Sequence, residues 1–188
     1  MDASPAQAVE SYLTSVSSGE GEVVWPDLEA APGNDVVRLC SVRILQDGIA
    51  GPTADVEISK EVQIEVTYRC LKAGEMLYTA LWLKDSMGTA ILSSSNAISI
   101  SLTPVAWYTK PSEEGVFRSS CRIPPNFLNE ITYRVTPILG RQPSETIIIE
   151  EDAVTFKVHD TGEMRKEFYG GWLGVIRPKL AWATEKIQ

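Results

Sequence analysis

The sequence predicts an all-β fold: two antiparallel sheets packed face to face as an immunoglobulin-like or jelly-roll sandwich, with one short helix ahead of them. Three observations carry this. From Val36 onward apolar residues recur with a period of two, in short runs rich in Val, Ile, Thr and aromatics. The runs are broken by Gly, Pro, Asn and Asp at turn spacing, and no helical pattern follows. The length of 188 residues, 44% hydrophobic and 22% charged, suits one domain. Such a domain hides roughly 70% of its unfolded surface and needs no metal or disulfide to hold its core.

The first element is the helix, expected near 5–17. Ser4 can cap it, Pro5 suits the first helical position, and Val9, Tyr12, Leu13 and Val16 fall on one face, before Ser17-Ser18-Gly19 ends it. Strands are then expected at 36–46, 61–70, 76–84, 90–94, 97–103, 115–123, 131–139, 146–150 and 153–159. Turn chemistry joins them at Gly48, Gly51-Pro52, Ala73-Gly74, Ser86-Met87-Gly88, Pro124-Pro125-Asn126 and Gly140.

Alternation sorts the two faces of each strand. In 61–70, Val62, Ile64, Val66, Tyr68 and Cys70 point inward, and Gln63, Glu65, Thr67 and Arg69 outward. In 115–123 the inward set is Phe117, Ser119, Cys121 and Ile123, opposite Arg118, Ser120 and Arg122. Strand 131–139 turns Ile131, Tyr133 and Val135 inward and Thr132, Arg134 and Thr136 outward. Strand 76–84 breaks the pattern. Leu77, Leu81 and Leu83 supply its inner face, yet Tyr78, Ala80 and Trp82 stand where polar residues belong.

Charge and motif content narrow the chemistry. Seventeen Lys and Arg against 25 Asp and Glu leave a net charge of −8, which repels phosphate backbones and argues against nucleic-acid binding. No apolar run is long enough to span a bilayer, and the N-terminus lacks the basic and apolar regions of a secretory signal. Cys40, Cys70 and Cys121 have no CxxC spacing and only His159 to join them, so they read as reduced, small apolar side chains and no metal site is expected. His159, on the outward parity, reads as a surface residue. There is no phosphate loop, GxSxG or HExxH, and adjacent pairs such as Glu113-Glu114 and Glu150-Glu151 read as solvated. No catalytic residues are assigned.

The outward aromatics carry the functional signal. A flat ring offers an apolar platform to the C–H face of a sugar, while neighbouring polar side chains satisfy its hydroxyls. The expected site is the outer face of the sheet holding 76–84, with Tyr78 and Trp82 as platforms about 7 Å apart, like adjacent sugar rings. Arg134, Arg118 and Glu65 are its expected hydrogen-bonding neighbours. Trp107 and Tyr108, in a Pro-flanked loop, form a second candidate pair.

Three stretches carry a family resemblance: LYTALWLKDSMG at 77–88, IPPNFLNEITYRV at 123–135, and the tail TGEMRKEFYGGWLGVIRPKLAWATE at 161–185. Together they resemble the C-terminal domain of Wzt-type ATP-binding subunits of polysaccharide ABC exporters. In that family a β-sandwich follows the ATPase domain and recognises the exported lipid-linked O-antigen glycan. SPAQAVESYL at 4–13 is similar to the segment after the ATPase domain, which implies a linker helix over 1–18 and a glycan-binding sandwich over 19–188. The resemblance gives structural roles to Pro124, Asn126, Leu128 and Tyr133. Trp172, Gly174, Arg177, Pro178, Leu180 and Trp182 match a dimerisation element with an exchanged terminal strand, expected near 175–183.

The implied function is non-catalytic recognition of an O-polysaccharide at the cytoplasmic face of the inner membrane. The implied partners are a second copy, an ATPase domain and a transmembrane exporter subunit. The chain has no Walker motif or ABC signature, so it carries no cofactor of its own; ATP would bind the absent ATPase domain. A structural dimerisation or docking module is the alternative.

Overall fold

The computed structural model describes residues 17–167 and 169–187. The helix expected near 5–17 therefore lies outside the described residues except for Ser17, which begins a strand. Eleven strands are present among the described residues: β1 (Ser17–Gly19), β2 (Glu22–Val24), β3 (Val37–Gln46), β4 (Asp55–Glu57), β5 (Val62–Cys70), β6 (Leu77–Lys84), β7 (Ala90–Ser95), β8 (Gly115–Ile123), β9 (Thr132–Arg141), β10 (Glu145–Ile149) and β11 (Val154–His159). One sheet has the order β1-β2-β3-β5-β8 and the other β4-β11-β9-β6-β7, with β10 added to β9. Every pairing is antiparallel except β4 with β11, which is parallel.

The core between the sheets is built as alternation dictates. Val62, Ile64, Val66 and Tyr68 of β5 face Leu77, Leu81 and Leu83 of β6 and Tyr133 and Val135 of β9. Cys70 is buried, whereas Cys40 and Cys121 are only half-buried, so the expectation of three interior cysteines holds for one of them. Cys40 occupies a bulge between Leu39 and Ser41 that re-phases β3.

One expected strand is absent. Residues 97–103 form no strand. The amides of Ile100 and Ser101 both donate to the Ala97 carbonyl, while Ser95 Oγ accepts the Ala97 amide, 3.1 Å, and Ser101 Oγ donates to the Thr103 carbonyl, 2.7 Å. Serine side chains here compete with ladder pairing, although Ile98, Ile100 and Leu102 alternate as a strand would. Residues 175–183, expected as a strand exchanged with a second copy, pair within their own chain only through a single bridge from Ile176 to Leu128.

The long sides of the sandwich differ. Gln46, at the end of β3, donates from Nε2 to the Glu57 carbonyl, 3.0 Å, and accepts the Glu57 amide on Oε1, 2.7 Å. This amide acts as a substitute backbone partner for β4, so it ties the two sheets together there. On the opposite side β7 and β8 are sheet edges.

Candidate functional site

Register places the outer face of the six-stranded sheet residue by residue. On β6 it carries Tyr78, Ala80, Trp82 and Lys84; across on β9 their partners are Gly140, Ile138, Thr136 and Arg134. Ser93 of β7 lies beside Trp82, and Thr155 of β11 beside Arg134. The turn between β10 and β11 adds Glu151 and Asp152, the latter at φ 52°.

Trp82 thus sits beside a closed group of four charges. Lys84 Nζ lies 5.6 Å from the Trp82 ring centroid, bonds Glu151, and lies 3.5 Å from Asp152. Arg134 Nη1 bonds Asp152 at 3.0 Å and Nη2 donates to the Ser86 carbonyl at 2.8 Å. Thr136, fully buried on this outer face, accepts the Asp152 amide at 3.0 Å and so seats the turn. The bond to Glu151 outweighs burial and holds the Lys84 ammonium above the ordinary lysine range. Two cations and two carboxylates beside one indole give donors and acceptors of both kinds around an apolar plate, with no net charge. That set fits a neutral polyhydroxylated ligand.

The structure brings only part of the expected constellation together. Trp82 and Arg134 share the site. Glu65 and Arg118 do not: they lie on the outer face of the other sheet, 3.6 Å from each other, with Gln63 donating to Glu65 at 2.8 Å. Outward parity is right for all four, but the two outer faces of a sandwich point in opposite directions. Tyr78 and Trp82 are four residues apart, with Ala80 between, which sets them about 13 Å apart rather than about 7 Å.

Tyr78 has a packing duty as well. A Cβ on Gly140 would come 2.4 Å from its Cζ, so its ring lies over the glycine opposite. Trp107, in the 3-10 turn Ala106–Thr109, meets Phe117 edge-on at 5.2 Å, and Phe117 stacks on Tyr68 at 5.7 Å. The Tyr108 carbonyl accepts from Gln142 Nε2 at 2.7 Å. Trp107 and Tyr108 therefore close one end of the sandwich and are remote from the Trp82 cluster. Sequence reasoning missed Lys84, Thr136, Glu151 and Asp152. Lys84 and Thr136 were readable from parity; Glu151 and Asp152 depend on a turn folding back over the sheet.

The tail residues dock on their own domain. Asn129 Nδ2 donates to the carbonyls of Trp172, 3.1 Å, and Gly174, 2.6 Å, and the Tyr133 hydroxyl donates to that of Val175, 2.6 Å. Arg177 is buried, its amide bonded to the Phe127 carbonyl, its Nη2 to Asp160 at 2.8 Å, and its guanidinium 5.7 Å from the Trp172 ring. Asp160 also accepts from Arg165 Nε at 2.8 Å. Burial works against its ionisation, but the Arg165 and Arg177 bonds outweigh it and lower its pKa to about 2. The motif at 123–135 and the tail are thus one contact, seen from two places in the sequence. Beyond it, Pro178 follows the lock, and Leu180 and Trp182 are exposed.

No protein-family model matches the sequence, and no curated protein is significantly similar to it. Among solved structures, the C-terminal domain of Wzt superposes with a TM-score of 0.62 at 11% identity, covering 93% of this chain and 95% of that one. The chain shares the fold of the Wzt C-terminal domain. A cross-linked bacterial adhesin from Mobiluncus mulieris overlaps far less, with a TM-score of 0.37 at 8% identity over 66% of this chain and 56% of that one. The likeness to the Wzt domain spans both sheets, and at this identity it speaks for fold and not for ligand.

Proposed function

We propose that this chain is a non-catalytic carbohydrate-binding domain that recognises a lipid-linked O-polysaccharide for export by an ABC transporter. The observation that carries the proposal is the outward Trp82 with Lys84, Arg134, Glu151 and Asp152 around it, on a sandwich with the fold of the Wzt C-terminal domain. In this role the domain acts at the cytoplasmic face of the inner membrane, joined to an ATPase domain and a transmembrane subunit, and works as a homodimer. Recognition needs only modest affinity, because the glycan must be released once transport begins.

Calorimetric titration of the protein with the O-polysaccharide of its own organism tests this. Trp82→Ala should weaken binding tenfold or more, as loss of one stacked ring removes about 1–2 kcal/mol. The fold should persist, because Leu77, Leu81 and Leu83 still fill the inner face of β6. Arg118→Ala, on the far face, should leave binding unchanged. Absence of binding by the wild-type dimer, or an equal loss with both variants, refutes the proposal.

A second function, dimerisation or docking without glycan, is favoured by one observation: Leu173 and Trp182 in the tail are 97% and 90% exposed. It predicts an assembly that persists in Trp82→Ala and shows no glycan response at all.

A further inference from the structure

Among the described residues, the side of the sandwich between β7 and β8 is not filled. A cleft of about 720 Å³ opens there, within the range of roughly 300–1,000 Å³ typical of small-molecule sites. Its floor is the apolar core itself, Ile64, Val66 and Leu81. Its walls are unusual. Ser94 on β7 and Ser119 and Cys121 on β8 occupy inward positions, where the rest of the domain places Val, Ile, Leu and aromatics. Small polar residues there forgo packing that larger apolar ones would supply, and their hydroxyls need partners once out of water. The Thr79 and Ser119 hydroxyls find each other across the gap at 2.9 Å. Local departures from core rules concentrate where a protein binds something.

We propose that this cleft binds a neutral aliphatic ligand carrying hydroxyl or carbonyl groups, of the chemical class of a medium-chain glyceride. The chemistry of the walls selects the class. Among the described residues, charged groups line the cleft only as Glu61 and Arg122, which lie 3.7 Å from each other, so neither an anion nor a cation meets an unpaired counter-charge. No aromatic ring among the described residues lines it, so a sugar lacks the plate it has at Trp82. What remains is an apolar floor for hydrocarbon, hydroxyls for a few polar atoms, and a mouth formed by the turn after β7. There Ile100 and Leu102 line the opening while 57% and 104% exposed, a state that a bound chain would relieve. The site is separate from the Trp82 face and does not rest on glycan binding.

Displacement of the neutral fluorophore N-phenyl-1-naphthylamine by 1-octanoylglycerol, below its critical micelle concentration, tests the assignment. Saturable one-to-one binding is expected, and 1-hexanoylglycerol, two methylenes shorter, should bind roughly fifteenfold more weakly, at about fourfold per methylene. Filling the cleft with Cys121→Phe should cut octanoylglycerol affinity at least tenfold while the melting temperature holds or rises. Leu102→Asp, at a solvent-exposed position that cannot unfold the core, should weaken it as well. Trp82→Ala should not. Lack of saturable binding, equal affinity for the two chain lengths, or unchanged affinity in a folded cleft-filled variant and in Leu102→Asp overturns the proposal.

Discussion

Replacing Tyr133 by Phe removes one oxygen atom and tests how the tail is held. The Tyr133 hydroxyl is buried; it accepts the Asn129 amide at 2.7 Å and donates to the Val175 carbonyl at 2.6 Å, with the Asn129 carbonyl a second, longer acceptor at 3.2 Å. Its ring stacks on Phe156 at 5.4 Å, a contact Phe keeps, so the change isolates the hydrogen bonds of the hydroxyl. The Asn129 amide loses a buried acceptor, worth about 1–3 kcal/mol. The Val175 carbonyl belongs to a 37% exposed residue and can turn to water, so its loss is nearer ~0.5 kcal/mol. The sum is about 1.5–3.5 kcal/mol, read as a lower urea midpoint at unchanged slope. The tail should also loosen, so trypsin should cut faster at Arg165 and Lys166. A loss below ~0.5 kcal/mol with unchanged proteolysis would show that the hydroxyl does not hold the tail.

Acid should release the same element. Asp160, with its folded pKa lowered to about 2, contributes stability that is fully present above the ordinary carboxylate value near 4 and is lost as pH falls through 2. The shift amounts to about 2 kcal/mol, and Asp160→Asn should flatten that part of the pH–stability curve in urea titrations. Gly140→Ala should destabilise by about 1–3 kcal/mol, because its Cβ would fall 2.3 Å from the Glu145 carbonyl oxygen and 2.4 Å from the Tyr78 ring; a melting curve reads this directly. If the exposed end of the tail mediates the proposed dimer, Leu180→Ala with Trp182→Ala should shift sedimentation toward monomer without loss of fold, since neither side chain lies in the core.

The two-sheet fold was legible because alternation is a local signal. Gly115–Ile123 is formed with the expected bounds, and the inward set of β5 is buried throughout. Short strands were not legible: β2 and β4 have three residues each, too few to show a period, and β4 depends on Gln46 for its second set of bonds. The segment 97–103 shows the converse failure. Ile98, Ile100 and Leu102 have the period of a strand, but nothing pairs with them among the described residues. At the candidate site, parity found Trp82 and Arg134. It could not tell which outer face a residue occupies, since that depends on which sheet the strand joins, and so it grouped Glu65 and Arg118 with them. Ser119 and Cys121 were readable as inward-facing, but the emptiness beside them is a property of both sheets at once.

The pairing of Asp55 with Lys157, through which β4 joins β11, makes the sandwich a late structure in the life of the chain. The five-stranded sheet is complete once Ile123 has been made, yet the sheet that covers it awaits His159. Until then the row of valines and isoleucines on β3 and β5 has only part of its lid, since β6, β7 and β9 are made but β11, which packs over β3, is not. Contacts this distant in sequence slow folding and lengthen the time during which such a surface is bare. Nascent chains halted before residue 159 should therefore be the forms that chaperones hold and that aggregate, whereas full-length chains should close rapidly into the protected state.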